Sequence, residues 1–132
     1  DINKAIECAK TKKGKDYIKS SNEDISSIAK GITDKKGDVS INVGSPLNFV
    51  SDDSDQISDQ ITKSIRDLYE PHSTNYAAYI KSKNEILDHS FSKSKINESI
   101  NYLESRAMQL TKHEKEEHYS QYYQCLIKKM GG

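Results

Sequence analysis

Residues 37–47 constrain this chain most: Gly-Asp-Val-Ser-Ile-Asn-Val-Gly-Ser-Pro-Leu. Val39, Ile41 and Val43 alternate with Asp38, Ser40 and Asn42, and a glycine stands at each end, the pattern of a strand with one buried face. No other stretch of the chain reads this way. The peptide groups of a strand must be hydrogen-bonded wherever they are buried, and even one hairpin is marginal in water. The expectation is therefore an α/β fragment, mostly α: about six helices, with one principal strand that belongs to a larger sheet, ending in a helical hairpin.

The remaining residues have to build a core from little. Only 33% of the 132 residues are apolar, against about 45–50% in an ordinary soluble domain. Twenty basic residues balance twenty acidic ones, so no global field draws the chain to nucleic acid or an anionic surface. No apolar run approaches the roughly 18 residues of a membrane span, and nothing reads as a basic-then-apolar leader. Cys8 and Cys125 fit no metal or redox spacing. They read as two free thiols in a reducing compartment, with a single disulfide between them left open.

The helices are legible from apolar spacing. Ile2, Ala5, Ile6 and Ala9 share one face of a first helix that ends near Gly14. Lys10, Lys12, Lys13 and Lys15 follow as a basic cluster near its C-terminus, where the helix dipole favours cations. Ser21 or Asn22 opens a second helix with Ile25, Ile28, Ala29 and Ile32 on its buried side and Gly31 placed to end it. The acidic run from Asp52 to Asp55 caps a third, striped by Ile57, Ile61, Ile65 and Leu68 and stopped at Glu70-Pro71. A calcium loop is disfavoured there, because the glycine and terminal glutamate it needs are missing.

A fourth helix starts at Ser73, Thr74 or Asn75 and runs to about Leu87, with Tyr76, Tyr79, Ile80 and Leu87 as core contacts. The fifth carries Ile96, Ile100, Leu103, Ala107 and Leu110 at alternating spacings of four and three, the cleanest amphipathic pattern present. Thr111 with Glu114 is a capping box opening a sixth, whose stripe is Tyr119, Tyr122, Tyr123, Leu126, Ile127 and Met130. The short connection at Thr111 suggests that the last two helices form an antiparallel hairpin. Three parts are expected: 1–52 as the C-terminal piece of an α/β domain, 53–90 as covering helices, and 91–132 as the hairpin.

Catalytic patterns are sparse. His72, His89, His113 and His118 are the only histidines. His113 and His118 are five apart, whereas two zinc-binding histidines on one helix stand four apart, so both read as exposed residues of a polar helix face. There is no glycine-rich phosphate loop, serine elbow or cysteine nucleophile pattern. Lys35 and Lys36, at the mouth of the expected strand, are the candidate phosphate contacts. No metal and no cofactor is implied.

Three segments carry a family resemblance: Glu23-Asp24-Ile25-Ser26-Ser27-Ile28-Ala29-Lys30-Gly31-Ile32, the strand stretch from Lys36 to Leu47, and His72-Ser73-Thr74-Asn75-Tyr76-Ala77-Ala78-Tyr79. Their order and spacing resemble the C-terminal half of bacterial glycerolipid acyltransferases of the 1-acylglycerol-3-phosphate type. The resemblance implies a parent reaction of phospholipid synthesis, acyl transfer from a thioester to lysophosphatidate. It also implies peripheral association with a membrane and a cytoplasmic location reaching its inner face. In that family the general base is a histidine with an aspartate five positions on. Here His72 leads to Ala77, His89 to Ser94, His113 to His118 and His118 to Tyr123. No catalytic residue carries over, and the implied chain is a non-catalytic part, inert alone.

The alternative reading is a small helical protein-interaction module with no enzymatic activity. Its last two helices form a partner-binding hairpin, and its strand joins a partner's sheet edge or pairs copies into an oligomer. Nucleic-acid binding through residues 10–15 is disfavoured by the short cluster and the zero net charge.

Overall fold

The computed structural model describes residues 2–34, 37–50 and 52–131. They form α1 (Ile2–Thr11), α2 (Glu23–Thr33), α3 (Ser54–Leu68), α4 (Ser73–Lys83), α5 (Lys93–Arg106) and α6 (Lys112–Lys129). Local chemistry sets most of the ends. The Asp53 carboxylate accepts the Asp55 N–H at 2.9 Å to open α3, and Ser92 Oγ accepts the Lys95 N–H at 3.2 Å to open α5. At α6 the Glu114 carboxylate accepts both the N–H and the hydroxyl of Thr111 at 2.8 Å, closing the expected capping box. Asn84 stops α4 a turn earlier than Leu87, in the left-handed conformation at φ 55°. Asparagine adopts that geometry at lower cost than most side chains. Gly31 does not end α2, which runs on to Thr33.

The core is built by α4, α5 and α6, with α1 laid against α6. Ala77 and Ala78 of α4, Leu103 of α5, and Tyr119 and Tyr123 of α6 form its centre, with Tyr79, Ile100, Tyr122 and Ile127 packed around them. A smaller cluster joins Ala5 of α1 to Ala107 and Leu110, and Ile2 and Ile6 lie against it. Two adjacent alanines let α4 sit close to both neighbours, as small side chains bring helix axes together. The expected hairpin is therefore modified: α5 and α6 are linked by a short turn, but α4 is their principal neighbour. Tyr76 leaves the core and packs on His89 and Phe91, ring centroids 5.2 and 5.8 Å away.

The expected strand is absent. Residues 37–50 are extended without ladder hydrogen bonds, no strand occurs among the described residues, and Val39, Ile41 and Val43 are 75%, 85% and 89% exposed. The α/β assignment is thus corrected to all-α. The physical reason is the one that made the strand conspicuous: the described residues offer no second edge, so these peptide groups stay in water, where extended backbone is satisfied without a sheet. The segment is held at a few points instead. Asn42 Nδ2 donates to the Leu68 carbonyl at 2.8 Å, and Gln60 Nε2 to the Asn48 carbonyl at 3.4 Å. Gly44 lies so close to Leu68 that an added Cβ would stand 2.8 Å from Cδ1.

Candidate interaction surface

The amphipathic patterns of α2 and α3 are real, but the apolar face of α2 is exposed and that of α3 is only half covered, with Ile57 and Leu68 partly buried. Ile25, Ile28 and Ile32 of α2 are 70%, 64% and 73% exposed, and Ile61 and Ile65 of α3 are also exposed. The body sees the other side of α2: Ser26, Ser27, Lys30 and Gly31 line a cleft of about 770 Å³ that Ile2 of α1 and Tyr102 and Arg106 of α5 complete. No residue of α2 is buried, so the helix stands off the body with both its polar and its apolar face in water. Ahead of it, the Tyr17 hydroxyl donates to Glu23 at 2.6 Å, which pushes the phenol up to about 12, and Lys19 pairs with Asp24 at 3.0 Å.

At its C-terminal end α3 is latched to the body. The Tyr69 hydroxyl lies 2.8 Å from Cys125 Sγ of α6, and Lys129 Nζ donates to the carbonyls of Asp67 and Tyr69. Burial and the neighbouring thiol push the Tyr69 phenol well above its ordinary range. Asn75 is the hub of this latch. Its side-chain oxygen accepts the His72 N–H at 2.6 Å, opening α4, and its amide donates to the Tyr122 carbonyl at 2.7 Å and to Cys125 Sγ at 3.4 Å. The latch fixes the end of α3 and leaves Ile61 and Ile65 facing solvent.

Lys35 and Lys36 lie outside the described residues. Of the basic cluster, Lys10 sits over the Tyr17 ring at 5.1 Å, and Lys12 pairs with Glu117 of α6 at 2.7 Å, which raises the lysine's pKa. Carboxylates of this same chain therefore face the cluster. His113 is exposed and pairs with Glu116 at 3.5 Å, but His118 is fully buried, a correction to its expected place on the polar face. Position 118 is followed one and four residues later by the buried side of α6, Tyr119 and Tyr122, and the packing of α5 extends that side to include it.

The other groups with chemical potential are occupied. Ser73 and Ser99, both buried, bond one another at 2.8 Å beside a cleft of about 430 Å³ at the start of α4. Lys95 in that cleft is faced by Asp38 at 3.6 Å and Glu98 at 3.8 Å. Both cysteines are free thiols, and Cys125 bonds Tyr69 and Asn75 rather than a base. Among the described residues no group of three or more His, Cys, Asp or Glu is placed to hold a metal, and no helix is long and apolar enough to cross a membrane.

Sequence reading missed the latch, because Tyr69, Asn75 and Cys125 converge from positions 6 and 50 residues apart. It also misplaced the isoleucines of α2 and α3. No protein-family model, curated protein or solved structure matches the chain.

Proposed function

We propose that this chain is a small helical protein-interaction module that performs no chemistry by itself. The observation that carries the reading is the pair of isoleucine stripes, on α2 and α3, turned to water by a body that already has its own core. An apolar face of this kind has a cost in water unless a partner covers it. The binding surface moves from the expected α5–α6 hairpin to α2 and α3, because the apolar residues of α5 and α6 are consumed in packing on α4.

A protein fits these faces better than a lipid surface. Interfacial helices favour lysine and arginine on the polar side. Here Glu23, Asp24, Asp55, Asp59 and Asp67 outnumber Lys30, Lys63 and Arg66. The acyltransferase-fragment reading rests now on the residue resemblance alone, since the strand that called for a parent sheet does not form.

The test is site-specific photo-crosslinking from positions 28 and 61 in cells expressing the chain. Discrete protein adducts that vanish when Ile25 and Ile65 are changed to serine support the module. Acyl transfer from a thioester to lysophosphatidate by the purified chain would overturn it, as would an encoded histidine–aspartate motif just upstream together with recovery of that activity in the longer chain.

A further inference from the structure

We infer that residues 38–43 are a proteolytic processing site, cut at the Ser40–Ile41 bond by an endopeptidase whose specificity pocket takes a branched aliphatic side chain, and that the cut chain stays together as two pieces. An endopeptidase holds its substrate as an extended strand, hydrogen-bonding the main chain and seating alternate side chains in pockets. Backbone already committed to a helix has to be unwound before it can be held that way.

This stretch meets those demands in the folded state. Residues 38–47 run without helix, turn or bend, and among the described residues none of their peptide N–H or C=O groups is hydrogen-bonded to the chain. Val39, Ile41 and Val43 stand in water, with the small polar side chains of Ser40 and Asn42 between them. Only side chains tie the stretch down: Asp38 lies 3.6 Å from Lys95, and the Asn42 amide reaches the Leu68 carbonyl at 2.8 Å. Ser40–Ile41 is the bond midway between these ties. A cleft closing on it gives up at most one exposed ion pair and one side-chain hydrogen bond.

Other exposed aliphatic residues in the connections are better held. Ile18 lies between the Lys15 N–H, bonded to the Lys10 carbonyl at 3.0 Å, and the Ser20 N–H, bonded to Glu23 at 3.4 Å. Ile86 lies between Glu85, which accepts from the Tyr79 hydroxyl at 3.1 Å, and the His89 and Phe91 rings on Tyr76. Towards Val50, Leu47 is partly buried and the Asn48 carbonyl accepts from Gln60 at 3.4 Å.

The cut consumes one water. The C–N bond breaks, hydroxyl joins the Ser40 carbonyl carbon and hydrogen the Ile41 nitrogen, leaving a carboxylate and an ammonium once the acid proton has moved across. Neither new end touches the core. Ala5 of α1 packs with Ala107 and Leu110, and Lys12 meets both carboxylate oxygens of Glu117 at 2.7 and 2.9 Å. Residues 1–40 therefore stay on residues 41–132 through α1, while α2, which buries nothing, is no longer tied to α3.

Thermolysin, which cuts on the amino side of branched aliphatic residues, is the probe, with the products weighed by mass spectrometry. The folded chain should give residues 1–40 and 41–132 first, at a rate within about a hundredfold of that for a free peptide of residues 37–47, because the native state is itself the substrate. Ile41→Ser should slow cleavage of that bond by about tenfold or more. Far-UV dichroism of the variant should be unchanged, and the nicked chain should elute from size exclusion as one species. A first cut at any other bond overturns the site, as does an Ile41→Ser chain cut there as fast as the wild type. Cleavage more than about a hundredfold slower than that of the peptide also overturns it, because the bond is then opened only by unfolding. Fragments that separate on the column overturn the two-piece state.

Discussion

The imidazole of His118 lies edge-on to the ring of Tyr122, centroids 5.2 Å apart and planes at 71°, and is fully enclosed. Desolvation, with the Arg106 guanidinium of α5 as a second cause, holds its pKa down at about 4 against an ordinary 6.5. The Leu103 carbonyl pulls the other way and does not offset this. Between those values the unfolded chain binds a proton that the folded chain refuses. Stability should therefore be level above about pH 6.5, fall as pH drops from 6.5 towards 4, and lose about 3 kcal/mol at most from this residue. Urea denaturation across that window checks the slope. His118→Leu should flatten it, and a wild-type curve with no slope there would refute the burial.

The Asn75 side chain links the start of α4 to the backbone of α6. Replacing it with alanine removes a helix cap and the amide that donates to the Tyr122 carbonyl and to Cys125 Sγ. A loss of about 2–3 kcal/mol is expected by chemical denaturation. The same variant should free the C-terminal end of α3, seen as faster hydrogen exchange at Tyr69 than at Leu103.

Ser73 and Ser99 are each other's hydrogen-bond partner in a buried setting. Either serine changed to alanine strands the remaining hydroxyl and should cost about 1–2 kcal/mol. The double alanine variant should cost no more than the worse single one, giving a coupling energy measurable in a double-mutant cycle. Additive losses would mean that water already satisfies both hydroxyls.

Leu103 and Ile28 are both aliphatic residues on amphipathic helices, yet they should behave oppositely. Leu103 is fully enclosed at the meeting of α4, α5 and α6, so Leu103→Ala should cost about 3–5 kcal/mol. Ile28 is exposed, so Ile28→Ser should change stability by about 0.5 kcal/mol or less. Thermal melts of the two variants at 1 µM separate core from interface.

Local order was legible in the sequence because its signals are local. Asp53 and the Thr111–Glu114 pair cap the helices they were expected to open, and the spacing of Ile96, Leu103 and Leu110 marked a face that is buried. Caps and periodicity depend on residues within a turn or two of one another. Which face meets which partner does not.

The alternation of Val39, Ile41 and Val43 stated that a strand would fit there if an edge were on offer, and only the fold decided that none is. The same holds for the isoleucines of α2 and α3: the helical stripe is written in the sequence, while its exposure is seen only in the fold, where the core is made by α4, α5 and α6. His118 and Asn75 acquired their roles in the same way. Amphipathicity fixes that a face is apolar, whereas burial is a competition among faces for a limited core, and that competition is settled only in three dimensions.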